Sequence, residues 1–240
     1  MSLVVRTWNL YHGRTYPKSG RTYLERMVRL ASLDAPDVVA LQEVPLWAVG
    51  RLERWSGMQA LWAVTVPNLL GPLSRFLTDL DPVRVRFSME GQANALLLNP
   101  RFDIGGHKVL VLNPEISMWD WVLHGRQRRV CQAVEVDAHG RSLLVGNLHA
   151  TDDTEKARLE VAVAAELLSG HGCCILCGDF NVVEHAVPDF SPPLPGGIDQ
   201  ILVRGTTIER GPDRWPKERR RVEWRLLSDH APVEAVLAWT

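Results

Sequence analysis

Apolar residues along this chain come in short blocks that stop abruptly at polar residues, and the blocks follow two spacings. Residues 2–8 form a compact apolar run that predicts a strand. Leu24, Met27, Val28, Leu30 and Ala31 fall at helical spacing, which predicts an amphipathic helix over 22–33. A second apolar strand is expected over Asp37–Gln42, a second helix over Leu46–Trp55, and a third strand over 59–66. Further strands are expected at Asn94–Leu98, Ile104–Leu112, Arg129–Val136 and Ser142–Leu148, with a hairpin turn at residues 138–141. Asp152–Ser169 carries the longest helical pattern, with Leu159, Ala162, Val163, Leu167 and Leu168 assigned to its core face. Cys173–Cys177, Ile198–Val203 and Pro232–Leu237 complete the strands, and the Pro- and Gly-rich stretch 187–197 is a loop. Strands and helices alternate first and hairpins follow, which indicates a mixed α/β domain. No linker or repeat divides the chain, so one domain is expected over 1–240. Residues 67–92, 113–127 and 209–225 are the least patterned.

Composition narrows the picture modestly. At 240 residues, with 46% hydrophobic and 23% charged residues, the chain can bury a substantial core. No stretch is apolar and long enough to span a membrane, and the N-terminus has no secretory pattern, so the cytoplasm is the expected location. A net charge of −1 gives no support to nucleic-acid binding through bulk electrostatics alone. Of the four cysteines, Cys174 and Cys177 form a C-x-x-C. No second pair or suitably spaced His completes a zinc site, and the run Cys173–Cys177 is expected to be a buried strand with Cys as a small hydrophobe.

The chemistry sits where the apolar blocks end. Asn9 follows Trp8, and Gln42-Glu43 follows Val38–Leu41. Asn147-Leu148-His149 closes one strand, Gly178-Asp179-Phe180-Asn181 closes another, and Ser228-Asp229-His230 precedes the last. Strand ends let a rigid sheet hold reactive groups at the rim of a cleft. Each group alone has an ordinary explanation: a turn cap for Asn9, a surface carboxylate for Glu43, a core histidine for His149, an Asx-turn for Asp179 with Asn181, a loop pair for Asp229-His230. Their joint occurrence in this order changes the balance.

The set Thr7-Trp8-Asn9, Leu41-Gln42-Glu43, Asn147-Leu148-His149, Gly178-Asp179-Phe180-Asn181, Ile198-Asp199-Gln200-Ile201 and Ser228-Asp229-His230 resembles the endonuclease/exonuclease/phosphatase superfamily. That superfamily includes pancreatic-type deoxyribonuclease, abasic-site endonucleases, neutral sphingomyelinases and inositol-polyphosphate 5-phosphatases. The resemblance runs from residue 7 to residue 230. It implies a four-layer α/β/β/α sandwich of two mostly antiparallel sheets flanked by helices. The abasic-site branch places Asp where this chain has Tyr11 and Asn where it has His149, so the match is nearer the deoxyribonuclease and sphingomyelinase branches. Gln200 stands where related sequences carry His or an aromatic residue.

The resemblance implies Mg²⁺-dependent hydrolysis of a phosphoester, with Mn²⁺ able to substitute. Glu43 is the expected main metal ligand, with Asn9 adding an amide oxygen or orienting the carboxylates, and Asp229 as a further metal residue. Asp179 is expected to orient or deprotonate the attacking water. Asn181 is expected on the same side of an extended segment, donating to a phosphate oxygen. His230 is a general acid/base or oxyanion stabiliser, with Asp199 holding one ring nitrogen, and His149 contacts the phosphate or protonates the leaving group. Arg129, in the run Gly125–Arg129, and His12 are the candidate substrate contacts. Lys217–Arg221 is either a solvated surface or a polyanion contact, and Trp119-Asp120-Trp121 packs under a loop, stacks on bases or sits at a membrane interface. Leu69–Leu80 carries an apolar stripe expected to be core or cleft wall, with a lid or a lipid-facing helix as the alternatives. The leading expectation is a phosphodiesterase acting on nucleic acid. A phospholipid- or sphingomyelin-type diester is the second substrate class and a phosphomonoester the third; an inactive binding module of the same fold is the competing class. No obligate protein partner is implied.

Overall fold

The computed structural model describes residues 2–19, 21–67, 91–116, 120, 127–138, 140–183 and 185–238. The Leu69–Leu80 stripe, Trp119, Trp121, Gly125 and Arg126 lie outside the described residues. Two sheets dominate. The first has the order β11-β14-β1-β3-β5-β4, formed by Thr207–Arg214, Val233–Ala238, Ser2–Asn9, Val38–Pro45, Gln92–Leu98 and Gln59–Val66. The second has the order β10-β9-β8-β7-β6, formed by Asp199–Arg204, Cys174–Asp179, Ser142–His149, Val130–Asp137 and Asp103–Val111. Each sheet is antiparallel except for one internal parallel pair, β1 with β3 and β8 with β9.

The alternation of side chains along the strands builds the layers. Val38 and Ala40 turn toward the second sheet and meet Val145, Ile175 and Ile201 in the central core. Their neighbours Val39 and Leu41 turn outward onto α1 (Leu24–Ala31) and α2 (Leu52–Ser56), against Met27, Val28 and Trp55. On the far side, Leu144, Leu148, Leu176 and Leu202 pack on α3 (Thr154–Leu167). The result is helix, sheet, sheet, helix, as the resemblance implied. Strands buried on both faces explain the unbroken apolar runs of β3 and β9. No helix among the described residues is long and apolar enough to cross a membrane.

Several sequence expectations need correction. The helix expected over Leu46–Trp55 is a 3-10 turn at Leu46–Arg51 that continues into α2. On α3 the buried face is Ala157, Glu160, Val161 and Ala164, whereas Leu159 is 69% exposed and Val163 43%. That helix has two apolar stripes, and Glu160 selects between them. Its carboxylate accepts from the Thr151 backbone N–H at 2.6 Å and the Thr151 hydroxyl at 2.7 Å, anchoring the polar-looking side to the segment that follows β8. Residues 209–225 are ordered rather than irregular: they form most of β11, a 3-10 turn at Lys217–Arg220, β12 (Arg221–Val222) and the start of β13 (Arg225–Leu227). β12 and β13 join β2 (Thr15–Tyr16) in a small third sheet. Cys174 and Cys177 sit on opposite faces of β9, one toward α3 and one in the central core, so they cannot share a zinc ion. Burial pushes the Cys131 thiol up to about 12 and the Cys177 thiol higher still, as expected of inert core cysteines.

Candidate active site

The two parallel pairs end at the same edge of the sandwich. Asn9 closes β1 opposite Gln42 of β3, and His149 closes β8 opposite Asp179 of β9. Beneath them the sheets are tied by buried amides. Gln42 Nε2 donates to Asn147 Oδ1 at 2.8 Å, and Asn147 Nδ2 donates to the carbonyls of Leu41 at 3.2 Å and Ala95 at 2.9 Å. A buried amide seam of this kind fixes the spacing of the two strand ends.

Local backbone geometry aims the side chains. In β3 the pairing register breaks between Leu41 and Val44, and Glu43 there has φ +55°. This bulge turns Glu43 toward the edge. Gly178 has φ +139°, and a Cβ there would lie 2.0 Å from the Leu148 carbonyl oxygen. Only glycine lets β9 approach β8 that closely, which explains the Gly of Gly178-Asp179-Phe180-Asn181. Tyr11, His12, Asn181 and Ser228 also have positive φ. Such backbone strain in non-glycine residues commonly collects at functional sites.

Asp179 is the hub. It is 1% exposed, and Asn9 Nδ2 donates to its Oδ2 at 2.9 Å and to Glu43 Oε1 at 3.2 Å. Asn9 Oδ1 accepts from the Tyr11 N–H at 3.0 Å. The Asn9 amide nitrogen therefore bridges two carboxylates. His149 Nε2 lies 3.6 Å and His230 Nε2 3.9 Å from Asp179 Oδ2. Behind His230, Asp199 accepts at Nδ1, 2.9 Å away.

These contacts set the charges. Burial, then the Asp199 charge, drives the Asp179 carboxyl up to about 7, against the pull of His230 and the Asn9 hydrogen bond. Burial pushes His149 well below its usual value, and the positive charges of Arg129, His230 and His12 add to the effect. For His230 burial also opposes the proton, but the Asp199 hydrogen bond and charge outweigh it, helped by Asp179 and Asp229, and raise it to about 10. The site holds a neutral imidazole and an imidazolium around one poised carboxyl.

Other expected residues fall around this hub. Asn181 is not in an extended segment: its N–H donates to Asp179 Oδ1 at 3.1 Å in an Asx-turn, and its Nδ2 donates to the Ala150 carbonyl at 2.8 Å. His12 is 4% exposed and sits behind Glu43, its Nε2 3.3 Å from Oε2. Arg129 is 7% exposed, near His149, with Nη2 3.2 Å from Asp152 Oδ1. Asp229 is exposed and accepts from the Ser228 hydroxyl at 3.3 Å. The titratable group whose donor atoms lie within 4.8 Å of one another is Asp179, Asp199 and His230, with Glu43 joined to it through Asn9. Glu43 Oε2 is buried and accepts no hydrogen bond. A buried carboxylate oxygen that accepts no hydrogen bond, with the His12 ring 3.3 Å behind it and further oxygen ligands beside it, fits a hard divalent cation.

Three supporting residues were not read as such in the sequence. Trp8 Nε1 donates to the His230 carbonyl at 3.1 Å, and the Ser228 hydroxyl donates to the Asn9 carbonyl at 2.7 Å. Arg220, from the basic run, is buried and donates to the carbonyls of Leu227 at 3.1 Å and Ser228 at 2.9 Å. Arg219 of the same run stacks over Trp215 at 3.5 Å. The run thus holds the His230 loop as well as offering surface charge. A basic run carries no sequence signal that separates those two uses.

The model of the Endonuclease/Exonuclease/phosphatase family matches residues 7–230. A search of curated proteins finds no match. Among solved structures, an endonuclease/exonuclease/phosphatase from Beutenbergia cavernae superposes with a TM-score of 0.70 at 18% identity, covering 98% of this chain and 71% of that one. A humanized D. rerio TDP2 gives 0.62 at 15% identity and covers 99% of both chains. A Bacteroides thetaiotaomicron mannosyl-6-phosphatase gives 0.65 at 20% identity, covering 99% of this chain and 100% of that one.

Proposed function

The chain belongs to the endonuclease/exonuclease/phosphatase family, and from that premise we propose a Mg²⁺- or Mn²⁺-dependent phosphodiesterase with nucleic acid as its favoured substrate. Members of the family are hydrolases that act on phosphoester bonds. The observation that carries the reading is the placement of Asp179 between His149 at 3.6 Å and His230 at 3.9 Å, with Asn9 linking it to Glu43.

Glu43 would hold the cation, with Asn9 fixing its carboxylate. A bound divalent ion neutralises the phosphate oxygens and favours attack at phosphorus. Asp179 takes the proton from the attacking water: a carboxyl at about 7 is ionised often enough at neutral pH and is still a useful base. His230, kept protonated by Asp199, faces the charge that develops on the phosphoryl oxygens. His149, uncharged, offers a ring N–H to the phosphate or leaving oxygen. Arg129 adds positive charge beside His149.

The test is hydrolysis of an aryl phosphodiester with Mg²⁺, which EDTA should abolish, followed by single-stranded DNA, duplex DNA and RNA. A second reading, phosphomonoester hydrolysis, draws support from the end-to-end likeness to a mannosyl-6-phosphatase. An aryl phosphomonoester separates the two: faster cleavage of the monoester than of the diester and the nucleic acids would displace the phosphodiesterase reading.

A further inference from the structure

Away from the catalytic edge, a cavity of about 660 Å³ opens between α1 and the stretch from Trp47 to Trp55. That volume lies within the range of small-ligand sites. Four arginines line it: Arg26, Arg29, Arg51 and Arg54. The carboxylate in its wall, Glu25, is engaged by Arg29 at 2.8 and 3.0 Å. Among the described residues, Arg26, Arg51 and Arg54 form no ion pair, in a chain whose net charge is −1. A local excess of guanidinium groups suits phosphate, which they can grip with two parallel hydrogen bonds.

The remaining wall is aromatic. Trp47 and Trp55 meet edge to face at 6.3 Å, and Arg51 lies over the Trp47 ring at 5.2 Å. Trp55 is 6% exposed, and its indole N–H is buried without an acceptor. The cavity therefore offers the guanidinium donors of Arg26, Arg51 and Arg54 beside the half-buried Trp47 ring, and its carboxylate is already taken. Its complement is an acceptor-rich anion that carries a planar ring.

We propose that this cavity is a second, non-catalytic site for a mononucleotide, with the phosphate on Arg26, Arg51 and Arg54 and the ring against the Trp47–Trp55 wall. The proposal does not depend on the phosphodiesterase reading, because none of these residues belongs to the catalytic edge. The test is calorimetric titration of the full chain with AMP in EDTA, which stops metal-dependent hydrolysis. Saturable binding is expected, at least tenfold tighter than for adenosine or inorganic phosphate. Arg26→Ala with Arg54→Ala, both at exposed positions, should weaken it at least tenfold and leave hydrolysis of the aryl phosphodiester unchanged. Trp47→Ala, which removes the half-buried ring of the cavity wall, should weaken it several-fold. No binding, affinity equal to that of phosphate alone, or affinity indifferent to the arginine pair would overturn the proposal. Tighter binding of an oligonucleotide with the same arginine dependence would overturn it in favour of a strand.

Discussion

His149 and His230 flank one carboxylate, at 3.6 and 3.9 Å from Asp179, yet one is held neutral and the other protonated. His149 ends β8 inside the sandwich edge; its Nδ1 is buried and has no hydrogen-bond partner. Burial there is not offset by a carboxylate behind the ring, and Arg129 adds repulsion. His230 sits in the loop before β14, partly open to solvent, with Asp199 on Nδ1 at 2.9 Å. The two rings share the residue they face and differ in what stands behind them. A histidine's charge in such a site is set at the nitrogen away from the chemistry.

The largest expected effect comes from removing what both rings face. Asp179→Asn should lower kcat on an aryl phosphodiester at least ~100-fold, the usual scale for lost acid/base catalysis. Stability should respond in the opposite sense. The folded pKa of Asp179 lies near 7, above the ordinary 3.8, so ionisation costs stability as pH rises through that window. The Asn variant should lose that part of the pH dependence, seen as a smaller change in denaturant midpoint between about pH 4 and about pH 8. Unchanged kcat would separate the carboxylate from the chemistry.

His230→Ala should follow, also by ~100-fold. Asp199→Asn is gentler and more informative. His230 acts protonated, so activity should fall as pH rises through its value of about 10. Without Asp199 the proton is held less tightly, and the alkaline limb of the pH–rate profile should move down toward the ordinary 6.5. A limb that stays in place would show that Asp199 does not set the charge of His230.

Most of this edge was legible because reactive residues stand where apolar runs stop. Val38–Leu41 points straight at Glu43, and the run of β9 points at Asp179. The four layers were legible for a related reason: strands buried on both faces give unbroken apolar runs, and the helices show their own period. What failed was whatever depends on a contact distant in sequence. Glu160 is charged yet buried, because Thr151 satisfies both its oxygens, and so the apolar stripe with Leu159 was mistaken for the core face of α3. β11 is an edge strand with Glu209, Arg210, Asp213 and Arg214 along it, so it lacks the alternation of a half-buried strand. Asn181 was expected extended, but the Asp179 carboxylate captures its N–H and folds a turn. Arg220 is indistinguishable in sequence from its solvated neighbours, although it clamps two carbonyls of the His230 loop.

The smallest effect tests why His149 is neutral. Four causes act in the same direction, with burial first and the Arg129 charge second, followed by the charges of His230 and His12. Arg129→Met keeps much of the packing volume and removes the charge. The imidazole of His149 should then bind a proton more readily, while burial still holds its titration below the ordinary 6.5. Its ring resonances, followed by NMR against pH, should shift upward and stop short of that value. Activity at neutral pH should fall only a few-fold, from the lost positive charge near the phosphate. If His149 in this variant titrates at or above 6.5, Arg129 rather than desolvation keeps the ring neutral. The contrast with His230 would then be one of neighbouring charges alone, +1 beside one ring and −1 beside the other, and the depth of the β8 terminus would play no part in it.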